Sequence, residues 1–186
     1  IGIPEYRLPR DIVNDEIGTI QKLGVKVKLN TQIGVDKKLS ELKQDFDAVF
    51  IATGAHIGRD LGIENWNTRL EGCVDGVEFL RKVNLGEKVR PKDKVVVVGG
   101  GNVAIDVART LLRLGAEPVI IYRRTEAEMP AVREEIERAK EEKIKIEFLT
   151  LPTEATKKGN KVALKCVKMK LGAPDETGRP RPIPIE

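Results

Sequence analysis

The sequence is poor in aromatics, histidine and cysteine. Only 4% of its 186 residues are Phe, Trp or Tyr, with one Trp, one His and two Cys. Cys73 and Cys166 stand far apart, so they form neither a CxxC redox pair nor a metal set, and His56 alone makes no metal site. The cysteines read as two buried or partly buried thiols of a reducing compartment. No apolar run exceeds six residues, which excludes a membrane-spanning helix. The opening IGIPEYRLPR carries no secretory pattern, and a cytoplasmic protein is expected. An excess of one charge is also lacking. A net +4 from 33 basic and 29 acidic residues, well interspersed, describes a mixed solvated surface and not a nucleic-acid footprint.

What is present suits a globular protein. Hydrophobic residues make up 40% and charged residues 33%. A chain of this length buries roughly 70% of its unfolded surface, in one good core or two small ones.

The periodicity predicts a helix in PRDIVNDEIGTIQKLG. Pro9 suits its first turn, Val13, Ile17, Ile20 and Leu23 form one stripe, and Gly24 ends it. VKVKL, residues 25–29, alternates as a strand. LSELK is a short helix with Ser40 as candidate cap, and DAVFIATG, residues 47–54, is a strand buried on both faces. DGVEFLRKV is a helix capped by Asp75. Then come a strand at 94–98, a helix at 102–114 stopped by Gly115, and a strand at 119–122. Met129-Pro130 opens a further helix, with Val132, Ile136 and Ala139 on one face. KIKIEFL and KVALKCVKM are strands, the second half exposed, and GRPRPIPIE is an extended tail. The expected fold class is α/β. A Rossmann-like parallel sheet with helices on both faces forms the second half, and an incomplete nucleotide domain forms the first. The expected division is 1–56, a crossing at 57–92, and 93–186.

VVVVGGGNVAIDVART, residues 95–110, places Gly99, Gly101 and Ala104 in a G-x-G-x-x-A pattern between a strand and a helix. The first glycine permits the tight turn, the second admits a pyrophosphate to the backbone, and the small third residue lets helix pack on strand. Gly100 lies within the turn, and the amides of Asn102 and Val103 stand at the helix N-terminus, where an anion is favoured. A dinucleotide site is expected; a glycine-rich turn without ligand is the alternative. An NAD site ends its second strand in an acid that holds the ribose 2′-hydroxyl. Here that strand runs into Arg123 and Arg124, and the nearest acid, Glu117, precedes the strand. Two guanidiniums suit a 2′-phosphate, so NADP(H) is preferred over NAD(H); a solvated arginine pair is the alternative. Arg133 is a further candidate for the same phosphate.

GIPEYRLPRDIV (2–13), Thr53-Gly54 in an A-T-G segment, FLRKVN (79–84), GGGNVAIDVART (99–110) and YRRTEAEMPA (122–131) together resemble the small (beta) subunit of NADPH-dependent glutamate synthase. The module is similar to the NADH-dependent ferredoxin:NADP reductase large subunit, archaeal sulfide dehydrogenase and the front of dihydropyrimidine dehydrogenase. The resemblance runs over essentially the whole chain. It implies an NADPH domain inserted within an FAD domain whose own glycine turn lies upstream and whose closing strands lie downstream. A cysteine-rich iron–sulfur region is also implied outside this sequence. The chain is therefore expected to be a middle piece holding NADPH but not FAD by itself, colourless and without diaphorase activity. Its residues 1–55 are expected to be poorly ordered or packed against another copy. Thr53 and Gly54 are the candidate edge contacts to the flavin.

The implied chemistry is hydride transfer between nicotinamide and flavin. Electrons pass on to clusters and a partner, the glutamate synthase large subunit or another accepting subunit. Cofactors do that chemistry, so no catalytic side chain is nominated. Asp106 and Arg109 are read as packing and ion-pairing residues with catalysis as the alternative, and His56 is an alternative proton donor. Two other readings stand: a non-catalytic NADP-binding module, and the NAD(P) domain of a disulfide-reductase relative, against which the lack of CxxC argues.

Overall fold

The computed structural model describes residues 2–55, 57–58, 61–64, 70–176 and 178–185. The chain forms two compact units, Glu5–Ala55 and the combination of Ile1–Pro4 with His56–Glu186.

In the unit Glu5–Ala55, helix α1 spans Arg10–Lys22 and helix α2 spans Leu39–Asp45. Pro9 is the N-cap of α1 and not its first turn, and Gly24, at φ +93, ends it. Lys38 is the N-cap of α2, so Ser40 lies inside the helix and caps nothing. The expected strands 25–29 and 47–54 do not form. A strand needs a neighbour to take up its N–H and C=O groups, and no described segment pairs with either. Their apolar side chains stand in the open: Leu29 is 78% exposed and Phe50 is 92% exposed.

In the other unit, α3 spans Gly76–Asn84, and Asp75 caps it by accepting from the Glu78 amide at 3.0 Å. Strand β1 (Lys94–Val98) leads into α4 (Asn102–Arg113), β2 (Glu117–Ile121), α5 (Arg133–Glu141) and β3 (Lys145–Glu147). The sheet order is β1-β2-β3 and both pairings are parallel, with Val96 opposite Val119 and Ile120 opposite Ile146. This is the α/β architecture expected. Helices α3 and α5 both pack against α4. The stripe Ala104, Ile105, Ala108 and Leu111 of α4 is buried against Ile120 of β2 and Ile136 of α5 in one core. Each such isoleucine contributes about 1.5–3 kcal/mol on burial.

A second sheet follows. Strand β4 (Thr150–Lys158) turns through Gly159–Asn160 into β5 (Lys161–Pro174), and β5 pairs antiparallel with β6 (Pro180–Pro184). The proline-rich tail is thus an edge strand. Prolines at alternate positions 180, 182 and 184 leave the intervening residues and Ile185 to serve the ladder, and the Ile185 amide donates to the Lys168 carbonyl at 2.8 Å.

Candidate functional site

Strand β1 ends at Val98, and Gly99 takes φ +134, a conformation that side chains resist. This sharp turn brings the start of α4 back onto the strand: a Cβ on Gly99 would lie 3.5 Å from the Ala104 Cβ. The two glycines that follow do different work. A Cβ on Gly100 would fall 2.7 Å from the Tyr122 ring, so Gly100 is needed for packing. A Cβ on Gly101 would meet only Pro130 Cγ, at 3.9 Å, so the space beside it is open. Gly101 is the N-cap of α4, and its carbonyl accepts from the Ala104 and Ile105 amides. The amides of Asn102 and Val103 precede any intrahelical acceptor. An open space beside a glycine backbone and free amides at a helix N-terminus fit a pyrophosphate.

The loop after β2 is fastened to this turn. The Ala131 amide donates to the Gly100 carbonyl at 3.2 Å, and the Val132 amide donates to Asn102 Oδ1 at 2.8 Å. The Tyr122 hydroxyl donates to the Glu128 carbonyl at 2.8 Å. Within the loop, Thr125 Oγ1 lies 2.6 Å from Glu128 Oε2, and the Thr125 amide donates to the same oxygen at 3.0 Å. The Thr125 hydroxyl thereby holds the Glu128 carboxyl below the usual carboxylate range. Met129-Pro130 lies before α5 instead of opening it, and Val132 is the cap.

The arginine pair divides. Arg123 is exposed and pairs with no carboxylate among the described residues. Arg124 is only 5% exposed. Its Nε donates to the Pro180 carbonyl at 2.7 Å and its Nη2 to Asp175 Oδ2 at 3.1 Å. Arg124, expected beside Arg123 at the phosphate, thus braces the β5–β6 hairpin, whereas Arg123 is exposed. Arg133 is the first residue of α5 and pairs with Glu126 at 3.1 Å and Glu137 at 3.0 Å.

Asp106 and Arg109 are buried on α4. Arg109 makes ion pairs to Glu142, with Nη2–Oε1 at 2.8 Å, and to Glu135, tying α4 to α5. This is the structural role expected of Arg109. Thr53 and Gly54 belong to the unit Glu5–Ala55, where both are exposed and Gly54 has φ +73. Among that unit's described residues no glycine turn opens a helix. His56 lies outside the described residues. Cys73 is buried and Cys166 exposed; both are free, and burial raises both thiols. No described helix is long and apolar enough to cross a membrane. Sequence reasoning missed Tyr122, Asp175 and Arg179 as supports of this site. Tyr122 alone had a local signal, as the residue closing β2 beside the arginines.

A family model described as pyridine nucleotide-disulphide oxidoreductase matches residues 9–176. The NADP(+)-dependent formate dehydrogenase subunit beta of Moorella thermoacetica is 50% identical over 188 residues, covering 100% of this chain and 27% of the relative. The NADPH-Fe(3+) oxidoreductase subunit beta of Geobacter sulfurreducens (strain ATCC 51573 / DSM 12127 / PCA) is 44% identical, covering 100% and 28%. The glutamate synthase [NADPH] small chain of Escherichia coli (strain K12) is 35% identical, covering 97% and 41%. The chain therefore spans well under half the length of these relatives. Among solved structures, Mycobacterium tuberculosis FprA in complex with NADPH aligns with a TM-score of 0.70 and 23% identity, over 83% of this chain and 50% of that one. At that identity the likeness shows the fold. With most of its length matched by the family model, the chain belongs to the pyridine nucleotide-disulphide oxidoreductase family, whose cofactors are FAD and NADPH.

Proposed function

We propose that this chain is the NADPH-binding part of a flavoprotein oxidoreductase. The observation that carries the reading is the junction of the glycine turn at residues 99–104 with an exposed Arg123 where an NAD site has an acid. The amides of Asn102 and Val103 take the pyrophosphate, the open side of Gly101 admits it, and Arg123 pairs with the 2′-phosphate. Such a charge-assisted pair is worth about 1.5–3 kcal/mol. The printed names of the three relatives differ in their acceptor chemistry but share NADP(H), which supports the same choice here.

When bound, NADPH would supply a hydride to a flavin acceptor. This chain's residues bind and orient the donor. No side chain is assigned a proton transfer. A partner subunit of a larger assembly would then be the electron acceptor. Relatives named as a beta subunit or small chain support a partner of this kind. A glutamate-synthase-type large subunit is one such acceptor.

Competition binding to the purified protein tests the reading. NADPH should bind more tightly than NADH, and 2′,5′-ADP should displace bound NADPH at lower concentration than 5′-ADP. Equal affinities for both dinucleotides and equal displacement by both adenosine nucleotides contradict it.

A further inference from the structure

The turn between β5 and β6 is built to grip the loop that follows β2. Its own frame is closed by the Asp175 amide donating to the Arg179 carbonyl and the Gly178 amide donating to the Asp175 carbonyl, both at 2.8 Å. The Asp175 carboxylate accepts twice, from the Arg179 amide at 3.2 Å on Oδ1 and from Arg124 at 3.1 Å on Oδ2. In return Arg179 reaches from the hairpin into the loop. Its Nη2 donates to the Tyr122 hydroxyl at 3.2 Å and to the Glu128 carbonyl. Each side thus inserts one arginine into the other. Residues 122–128 are held at both ends, and Arg123 lies between the held points.

We infer that Asp175 and Arg179 are positioning residues for nucleotide choice, acting by fixing the loop that presents Arg123. The inference rests on the reading that Arg123 meets the 2′-phosphate. An exposed arginine on a loose loop pays the ordering of both loop and side chain when it binds. A loop clasped beforehand has already paid the backbone part. The pyrophosphate contacts come from residues 99–103, which make none of these arginine contacts. Loss of the clasp should therefore weaken NADPH binding and spare NADH binding. A merely structural role would weaken both.

Equilibrium titration of the purified protein with NADPH and NADH tests this in Asp175→Asn, Arg179→Gln and Arg179→Lys, with thermal melts to confirm folding. Asp175→Asn keeps the side-chain shape, so it holds the test open if an arginine variant does not fold. Asp175→Asn and Arg179→Gln should weaken NADPH binding roughly 5–10-fold, as expected for one side chain and its loop left unordered. NADH binding should change less than about twofold, within the error of independent surface changes. Arg179→Lys, which keeps the charge and a donor, should recover part of the NADPH affinity. Equal losses for both nucleotides would overturn the inference, as would unchanged or tighter NADPH binding. Arg123→Ala run alongside separates the two claims. If it abolishes the preference and the clasp variants do not, only the clasp fails. If it leaves the preference intact, the reading of Arg123 fails and the clasp inference falls with it.

Discussion

The Tyr122 ring lies against Gly100 so closely that a Cβ there would sit 2.7 Å from both Cδ2 and Cε2. The end of β2 therefore props the glycine turn from below, and the same tyrosine fixes the loop through its hydroxyl to the Glu128 carbonyl at 2.8 Å. Gly100→Ala should force the ring or the turn to move. Overpacking of this kind costs about 1–3 kcal/mol. The melting temperature should fall by roughly 2–4 °C per kcal/mol for a chain of this size. A melt identical to that of the parent protein would show that the turn yields freely.

Gly101 makes the opposite case. A Cβ there meets only Pro130 Cγ at 3.9 Å, so the fold itself leaves room for a side chain. Gly101→Val should fold with a melt close to the parent's and lose binding of NADPH and NADH alike. Folded Gly101→Val protein that still binds either nucleotide removes the turn from the site.

The glycine turn, the Asp75 cap and the limits of β1 and α4 were legible because each is decided within a few residues. Gly99 needs a left-handed φ, Asp75 caps its own helix, and the valines of β1 are bounded by turn formers. Arg124 was not legible because its partner Asp175 lies 51 positions away. Nothing near the arginine distinguishes a phosphate ligand from a brace. The stretches 25–29 and 47–54 carry strand patterning, but a pattern makes a strand only where a neighbouring backbone completes the ladder. The strand β4 went unread although Gly159–Asn160 is a two-residue hairpin signal, because TLPTEATKK has neither a strict alternation nor a continuous apolar run.

Glu142 couples α4 to α5 through Arg113 and Arg109, and its hydrogen bonds to Arg113 and then Arg109 lower its carboxyl pKa to about 2. The folded value is depressed below the unfolded one of about 4.3. The stabilisation is therefore complete above the unfolded value and is lost as pH falls through the folded value. Denaturant midpoints should decline from about pH 5 to about pH 2, and Glu142→Gln should be less stable at neutral pH with a flatter acid limb. A variant as stable as the parent at pH 7 would show that Glu135 alone suffices for Arg109.

The most direct test of the central claim is the affinity of NADPH and of NADH for the parent protein and for Arg123→Ala, measured by titration at one fixed salt concentration. The account predicts at least a tenfold preference for NADPH in the parent, since a charge-assisted pair of about 1.5–3 kcal/mol corresponds to roughly tenfold or more. In Arg123→Ala, NADPH affinity should fall toward that of NADH while NADH affinity holds. A parent protein that binds both nucleotides equally, or an Arg123→Ala protein that keeps the full preference, would contradict it.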